Sequence, residues 1–116
     1  MDNHVVTLAS ESDARELKSR LDWGQPALTI VDVRDRGHFN SSRVMGAVAI
    51  PLGDLANRAS TSLHQKRDIY VYGDTDEQTH LAAAVLRNAG YNRVSELKGG
   101  LTAWKAAGGP TEGTES

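Results

Sequence analysis

Apolar positions along the chain fall into short continuous runs, separated by segments in which apolar residues recur at helical spacing. His4-Val5-Val6-Thr7-Leu8 is a short strand candidate. It is followed by Ser10-Glu11-Ser12-Asp13, where Ser10 or Ser12 can cap a helix whose apolar stripe is Ala14, Leu17 and Leu21, and which Gly24 and Pro26 stop. Ala27 to Val33 is almost unbroken in apolar and β-branched residues, the pattern of a strand covered on both faces in a parallel sheet. Gly46 to Ile50 repeats that character until Pro51 ends it. Leu52 to Asn57 predicts a short helix, and Arg58 to Arg67 a polar connection.

Asp68 to Tyr72 is the next strand, and Glu77 to Ala89 the strongest helix, with Leu81, Val85, Leu86 and Ala89 on one side and Gly90 as its stop. Arg93 to Leu97 predicts a last strand. Lys98-Gly99-Gly100 then turns tightly into a helix carrying Leu101, Trp104 and Ala107, closed by Gly108-Gly109-Pro110. Strands alternating with helices argue for an α/β domain with a mostly parallel sheet of about five strands. Right-handed crossovers place the strand C-termini on one edge, where open α/β sheets bind and react. Two turns stand out there: the one carrying Asp32, Arg34 and Asp35, and the loop Gly73-Asp74-Thr75-Asp76-Glu77-Gln78-Thr79.

Length and composition narrow the function. A chain of 116 residues suits one domain, placed at residues 1–110. The polar, aromatic-free segment 111–116 is expected to be a frayed tail or a linker within a larger polypeptide. Thirteen Lys and Arg against fifteen Asp and Glu leave a net charge of -2 with no basic stripe, so nucleic acid is not an expected partner. No apolar run approaches the ~20 residues that cross a bilayer, and Met1-Asp2-Asn3-His4 is unlike a secretory signal; a soluble, cytoplasmic protein without a membrane partner is expected. The chain has no cysteine, which removes disulfides, thiolate zinc sites, iron–sulfur clusters and thiol nucleophiles. His4, His38, His64 and His80 show no ligand spacing, and neither a metal nor a cofactor is expected.

The loop after Tyr72 reads in two ways. Asp74 can cap the following helix with Glu77 completing a capping box, acidic charge being favoured at a helix N-terminus. Alternatively Asp74, Asp76 and Glu77 coordinate a cation or meet a basic partner, which in the extreme makes the loop the centre of a carboxylate-based, metal-assisted enzyme. Asp32 and Arg34 read as an ion pair or hydrogen-bonded set that fixes the turns, in preference to a ligand site. Trp104 reads as core, and Trp23 as a cover over the first turn. His80, just after the loop, reads as a solvated or partly buried side chain without a nucleophile in reach.

Taken together and in order, "IVDVRDRGHF", "GAVAIPLGDL", "DIYVY" and "LAAAVLRNAGYNRVSELKGGLTAWKAAGGP" resemble a rhodanese-like domain. The resemblance implies an α/β fold, a five-stranded mostly parallel sheet flanked by helices on both faces. It also implies a sulfurtransferase site, in which a Cys at a strand end carries a persulfide cradled by loop amides, usually beside a basic or hydroxyl residue. Alignment on Val71-Tyr72 puts Gly73 at that cysteine's position and Gln78 near that of the cation. Arg43-Val44-Met45-Gly46-Ala47 stands where relatives commonly have His-Ile-Pro-Gly-Ala, one turn proline fewer. An inactive member is therefore expected. It would act as a binding or regulatory module for a protein partner through the degenerate loop Gly73 to Thr79.

Overall fold

The computed structural model describes residues 8–24 and 27–115. Except for Leu8, the strand candidate His4 to Leu8 lies outside them. The first described strand, β1 (Glu11–Ser12), falls where a helix cap was expected. The cap of α1 (Ala14–Asp22) is Asp13, one residue later than Ser12. Its carboxylate accepts from Glu16 N at 2.8 Å while Glu16 Oε1 accepts from Asp13 N at 3.1 Å, a reciprocal capping box. Ser12 is instead buried, its hydroxyl 2.6 Å from that of Ser95.

The remaining elements are β2 (Leu28–Asp32), α2 (Arg36–Ser41), β3 (Arg43–Val44), β4 (Val48–Ala49), α3 (Leu52–Ser62) and β5 (Asp68–Tyr72). They are followed by α4 (Asp76–Asn88), β6 (Val94–Leu97), α5 (Gly100–Ala106) and β7 (Thr111–Glu112). Five strands form a parallel sheet in the order β1-β6-β5-β2-β4, with Ile30 opposite Tyr70 and Val31 opposite Val71. Side-chain alternation along the strands divides the core. Val31, Ile69, Val71 and Val94 pack under Leu55 and Ala59 of α3 and Ala82, Ala83 and Leu86 of α4. Ile30, Tyr70, Tyr72 and Leu97 face the other way, onto Ala14 and Leu17 of α1 and Trp104 of α5. The fold is thus α/β, with helices on both faces of the sheet.

Four expectations change. Helix α3 runs on to Ser62 through the segment expected to be a polar connection, because Ala59 and the following Leu63 give its far end an apolar anchor. On α4 the buried residues are Thr79, Ala82, Ala83 and Leu86, while Leu81 is 53% exposed, so the stripe is rotated toward the smaller side chains. Trp23, expected to cover the first turn, is 79% exposed. The segment after Pro110, expected to fray, pairs antiparallel with Arg43–Val44. The Pro110 carbonyl pins its start, accepting from Trp104 Nε1 at 2.7 Å and from Met45 N at 3.1 Å. Composition registers none of these long-range partners.

At the N-terminal end of β5 the mostly buried Asp68 bridges Arg20, at 2.6 Å, and Arg93. Burial alone would raise its carboxyl pKa, but the hydrogen bonds and charges of Arg93 and Arg20 outweigh it and hold the group below the ordinary carboxylate range. A depressed folded-state pKa adds stability above the unfolded-state value, and that stability disappears as pH falls through the folded-state value. Unfolding titrations of the native chain and Asp68→Asn should therefore differ most above about pH 4 and converge below it. A gap that persists unchanged into strong acid would contradict this.

Candidate functional site: the turn beyond strand β5

Two strand ends meet at the C-terminal edge of the sheet, and a buried polar cluster fixes both. Asp32, fully buried at the end of β2, accepts from Arg34 N at 2.9 Å, from Arg34 Nη2 at 2.7 Å and from the Tyr72 hydroxyl at 2.7 Å. Arg34 Nε lies 3.0 and 3.1 Å from the two carboxylate oxygens, and Nη2 also donates to Ser42 O at 2.6 Å. The Tyr72 oxygen in turn accepts from Val44 N at 3.1 Å. Burial, reinforced by the Asp32 charge, pushes the Tyr72 hydroxyl well above its usual pKa, so it remains a donor. Burial disfavours the Arg34 charge, yet the hydrogen bonds to Asp32 and that carboxylate's charge override it and raise the guanidinium pKa. The cluster of Asp32, Arg34 and Tyr72 thus joins β2, β3 and β5.

The loop that follows Tyr72 is closed on itself. Thr75, extended at φ -135° and ψ 160°, is the N-cap of α4, and its hydroxyl accepts from Gln78 N at 3.1 Å. The cap therefore sits one residue beyond Asp74, and Gln78, not Glu77, is the residue three places on. Gly73 N donates to Thr79 Oγ1 at 2.8 Å, and the same hydroxyl donates to Thr75 O at 3.0 Å. Gln78 folds back over the turn so that its Oε1 accepts from Asp74 N at 2.5 Å. An ideal Cβ built on Gly73 would overlap Gln78 Oε1 and lie 3.0 Å from both Cδ and Cγ. The space beside Gly73 holds a carboxamide.

The carboxylates disperse. Asp76 Oδ1 accepts from Gly99 N at 2.9 Å, tying the loop to the Lys98-Gly99-Gly100 turn. Gly99 and Gly100 have φ of +76° and +53°, and a Cβ on Gly100 would come 3.1 Å from Gly73 O, so glycine serves both conformation and close approach. Asp74 Oδ1 lies 3.4 Å from His38 Nδ1, which is also 3.3 Å from Asp35 Oδ2. Glu77 is exposed. Among the described residues no group of three or more His, Asp or Glu is arranged to hold a metal ion. Sequence reasoning missed His38. The available signal was its place three residues after Asp35, in the first turn of a helix that follows a strand on the functional edge. His80 is exposed, with Nδ1 3.2 Å from both oxygens of the buried Glu96, and borders a cleft of 140 Å³ with Glu11, Asp76, Thr79 and Lys98.

Comparison with known proteins decides the family. The rhodanese-like domain model matches residues 13–107. The chain belongs to the rhodanese-like domain family. A solved structure, the rhodanese-like domain of the Alr3790 protein from Anabaena, is 61% identical and superposes with a TM-score of 0.89 over 93% of this chain and 82% of that one. A sulfurtransferase of Allochromatium vinosum is 29% identical over 89% of this chain and 94% of its own length. An HTH-type transcriptional regulator of Mycobacterium tuberculosis, Rv0324, is 34% identical over 90% of this chain but only 47% of its own. Several curated relatives are likewise matched over only 50 to 59% of their length. This rhodanese-like domain has no cysteine anywhere in its sequence, and Gly73, directly after the last residue of β5, stands where the resemblance places the sulfur-carrying residue. Among its described residues, no helix is long and apolar enough to cross a membrane.

Proposed function

We propose that the chain is a rhodanese-like domain without sulfurtransferase activity that works as a binding or regulatory module. The observation that carries this reading is Gly73 at the strand end, with the adjoining space taken by the Gln78 carboxamide, in a chain with no thiol. What the turn offers to a partner is its acidic rim of Asp35, Asp74 and Glu77, all exposed. That rim suits a basic segment of a protein and disfavours an anionic sulfur donor. The matched regulator from M. tuberculosis, in which a similar region makes up about half of the protein, is a precedent for such a domain within a larger regulatory polypeptide. The purified chain should convert thiosulfate and cyanide to thiocyanate no faster than buffer. A rate well above that control would overturn the non-catalytic reading.

A further inference from the structure

Helix α2 is held by Phe39, which packs partly buried against the core under the Arg43 guanidinium 4.4 Å from its ring, and by its two ends. It has six residues, none of them fully buried, and a helix that short does not persist on its own hydrogen bonds. Asp35 caps its first turn, accepting from His38 N at 2.9 Å. Of its last carbonyls, Phe39 O accepts from Arg43 Nη1 at 3.2 Å, and the segment after Pro110 supplies donors to the next two. Asn40 O accepts from Thr114 N at 3.0 Å, and Ser41 O accepts from Glu115 N at 2.7 Å. The approach is close enough that a Cβ on Gly113, whose φ is +128°, would lie 2.9 Å from Asn40 O and 2.7 Å from Ser41 O. Glu112 adds a side-chain anchor, Oε2 accepting from Gly46 N at 2.9 Å. Toward the loop, His38 of the same helix lies between the carboxylates of Asp35 and Asp74.

We propose that residues 110–115 form a latch for that rim. Seated, the strap orders α2 and holds Asp35 and His38 against the loop; lifted, it lets α2 fray and takes both residues away. The regulatory value of the latch rests on the binding reading of the rim, but the latch itself is a property of the free domain. Two features allow the strap to open without the sheet. None of Thr111 to Glu115 is fully buried, and none belongs to either core cluster. Segments with few buried contacts open locally at far lower free energy than the core. The strap also reaches the site indirectly, since β3, its antiparallel partner, carries the Val44 N–H that bonds Tyr72.

Amide hydrogen exchange on the full chain tests this directly. In Gly113→Val the added side chain cannot keep the close approach, and in Glu112→Ala the anchor to Gly46 is lost. Both variants should speed exchange at Phe39 and Ser42, whose amides bond within α2, by roughly tenfold or more, with the β5 amides unchanged. If α2 is not selectively accelerated, either because its protection survives or because β5 exchanges faster to the same degree, the latch does not exist as a separate element. Because no partner enters the measurement, a failed binding reading would leave a positive result standing, and the reverse also holds.

Discussion

Asp32→Asn should lower the unfolding free energy by about 3–5 kcal/mol, the largest single-residue loss expected in this domain. The substitution keeps the shape of the side chain but removes a charge that is entirely buried and faces Arg34, which is itself only 8% exposed. An amide NH₂ would then point at donors: Arg34 N, Nε and Nη2 and the Tyr72 hydroxyl all give to the carboxylate. Breaking one side of a buried pair leaves the other uncompensated, whereas replacing both partners by apolar groups costs much less. Asp32→Leu combined with Arg34→Met should therefore lose clearly less than the sum of the two single changes. Urea midpoints at constant slope measure all of these. A drop for Asp32→Asn of less than about 1 kcal/mol, in the range of exposed ion pairs, would show that the cluster does not hold the strand ends together.

Restoring the missing nucleophile should fail at the first step and succeed in part at the second. In Gly73→Cys the new Cβ falls on the Gln78 carboxamide, so the glutamine must leave and give up its bond to Asp74 N. The thiol would also meet an exposed acidic rim, which repels an anionic donor, although a helix N-terminus favours the thiolate. The single variant should transfer sulfur from thiosulfate at or barely above background. Adding Gln78→Ala clears the space and should raise the rate by about tenfold or more, a difference of about 1.4 kcal/mol in barrier. A single variant as active as the double would show that Gln78 is a dispensable occupant and that the amide cradle was intact throughout.

The parts of this fold legible in the sequence are those whose signal is local. Leu28 to Asp32 and Asp68 to Tyr72 are covered on both faces, so burial writes itself as a continuous apolar run, and both strands lie where the pattern puts them. Of the four two-residue strands among the described residues, Val48–Ala49 lies inside the apolar run Gly46 to Ile50, whereas Glu11–Ser12, Arg43–Val44 and Thr111–Glu112 are too short to show any period and are completed by distant partners. The same applies to the stripe on α4. Leu81 and Ala82 are neighbours in sequence, and only the packing against β5 and β6 decides that the alanine goes inward. At the site, the position of Gly73 follows from alignment along β5, and the Asp32–Arg34 pair from charge at a strand end. The one-residue shift of the cap to Thr75 and the fold-back of Gln78 depend on backbone angles in the turn. The place of His38 three residues after Asp35 puts it on this edge, but its contact with Asp74, distant in the chain, depends on the pairing of β2 with β5.

The most direct test of a binding role is partner capture. The intact chain and the variant Asp74→Asn/Glu77→Gln are immobilised at equal density and exposed to lysate of the native host, after matched melting curves confirm that both are folded. Removing two exposed charges of the rim should reduce retention of the captured partner by roughly tenfold, in line with the loss of about 1–1.5 kcal/mol. Equal retention by both chains would contradict the account, because the degenerate loop would then be only a capped turn.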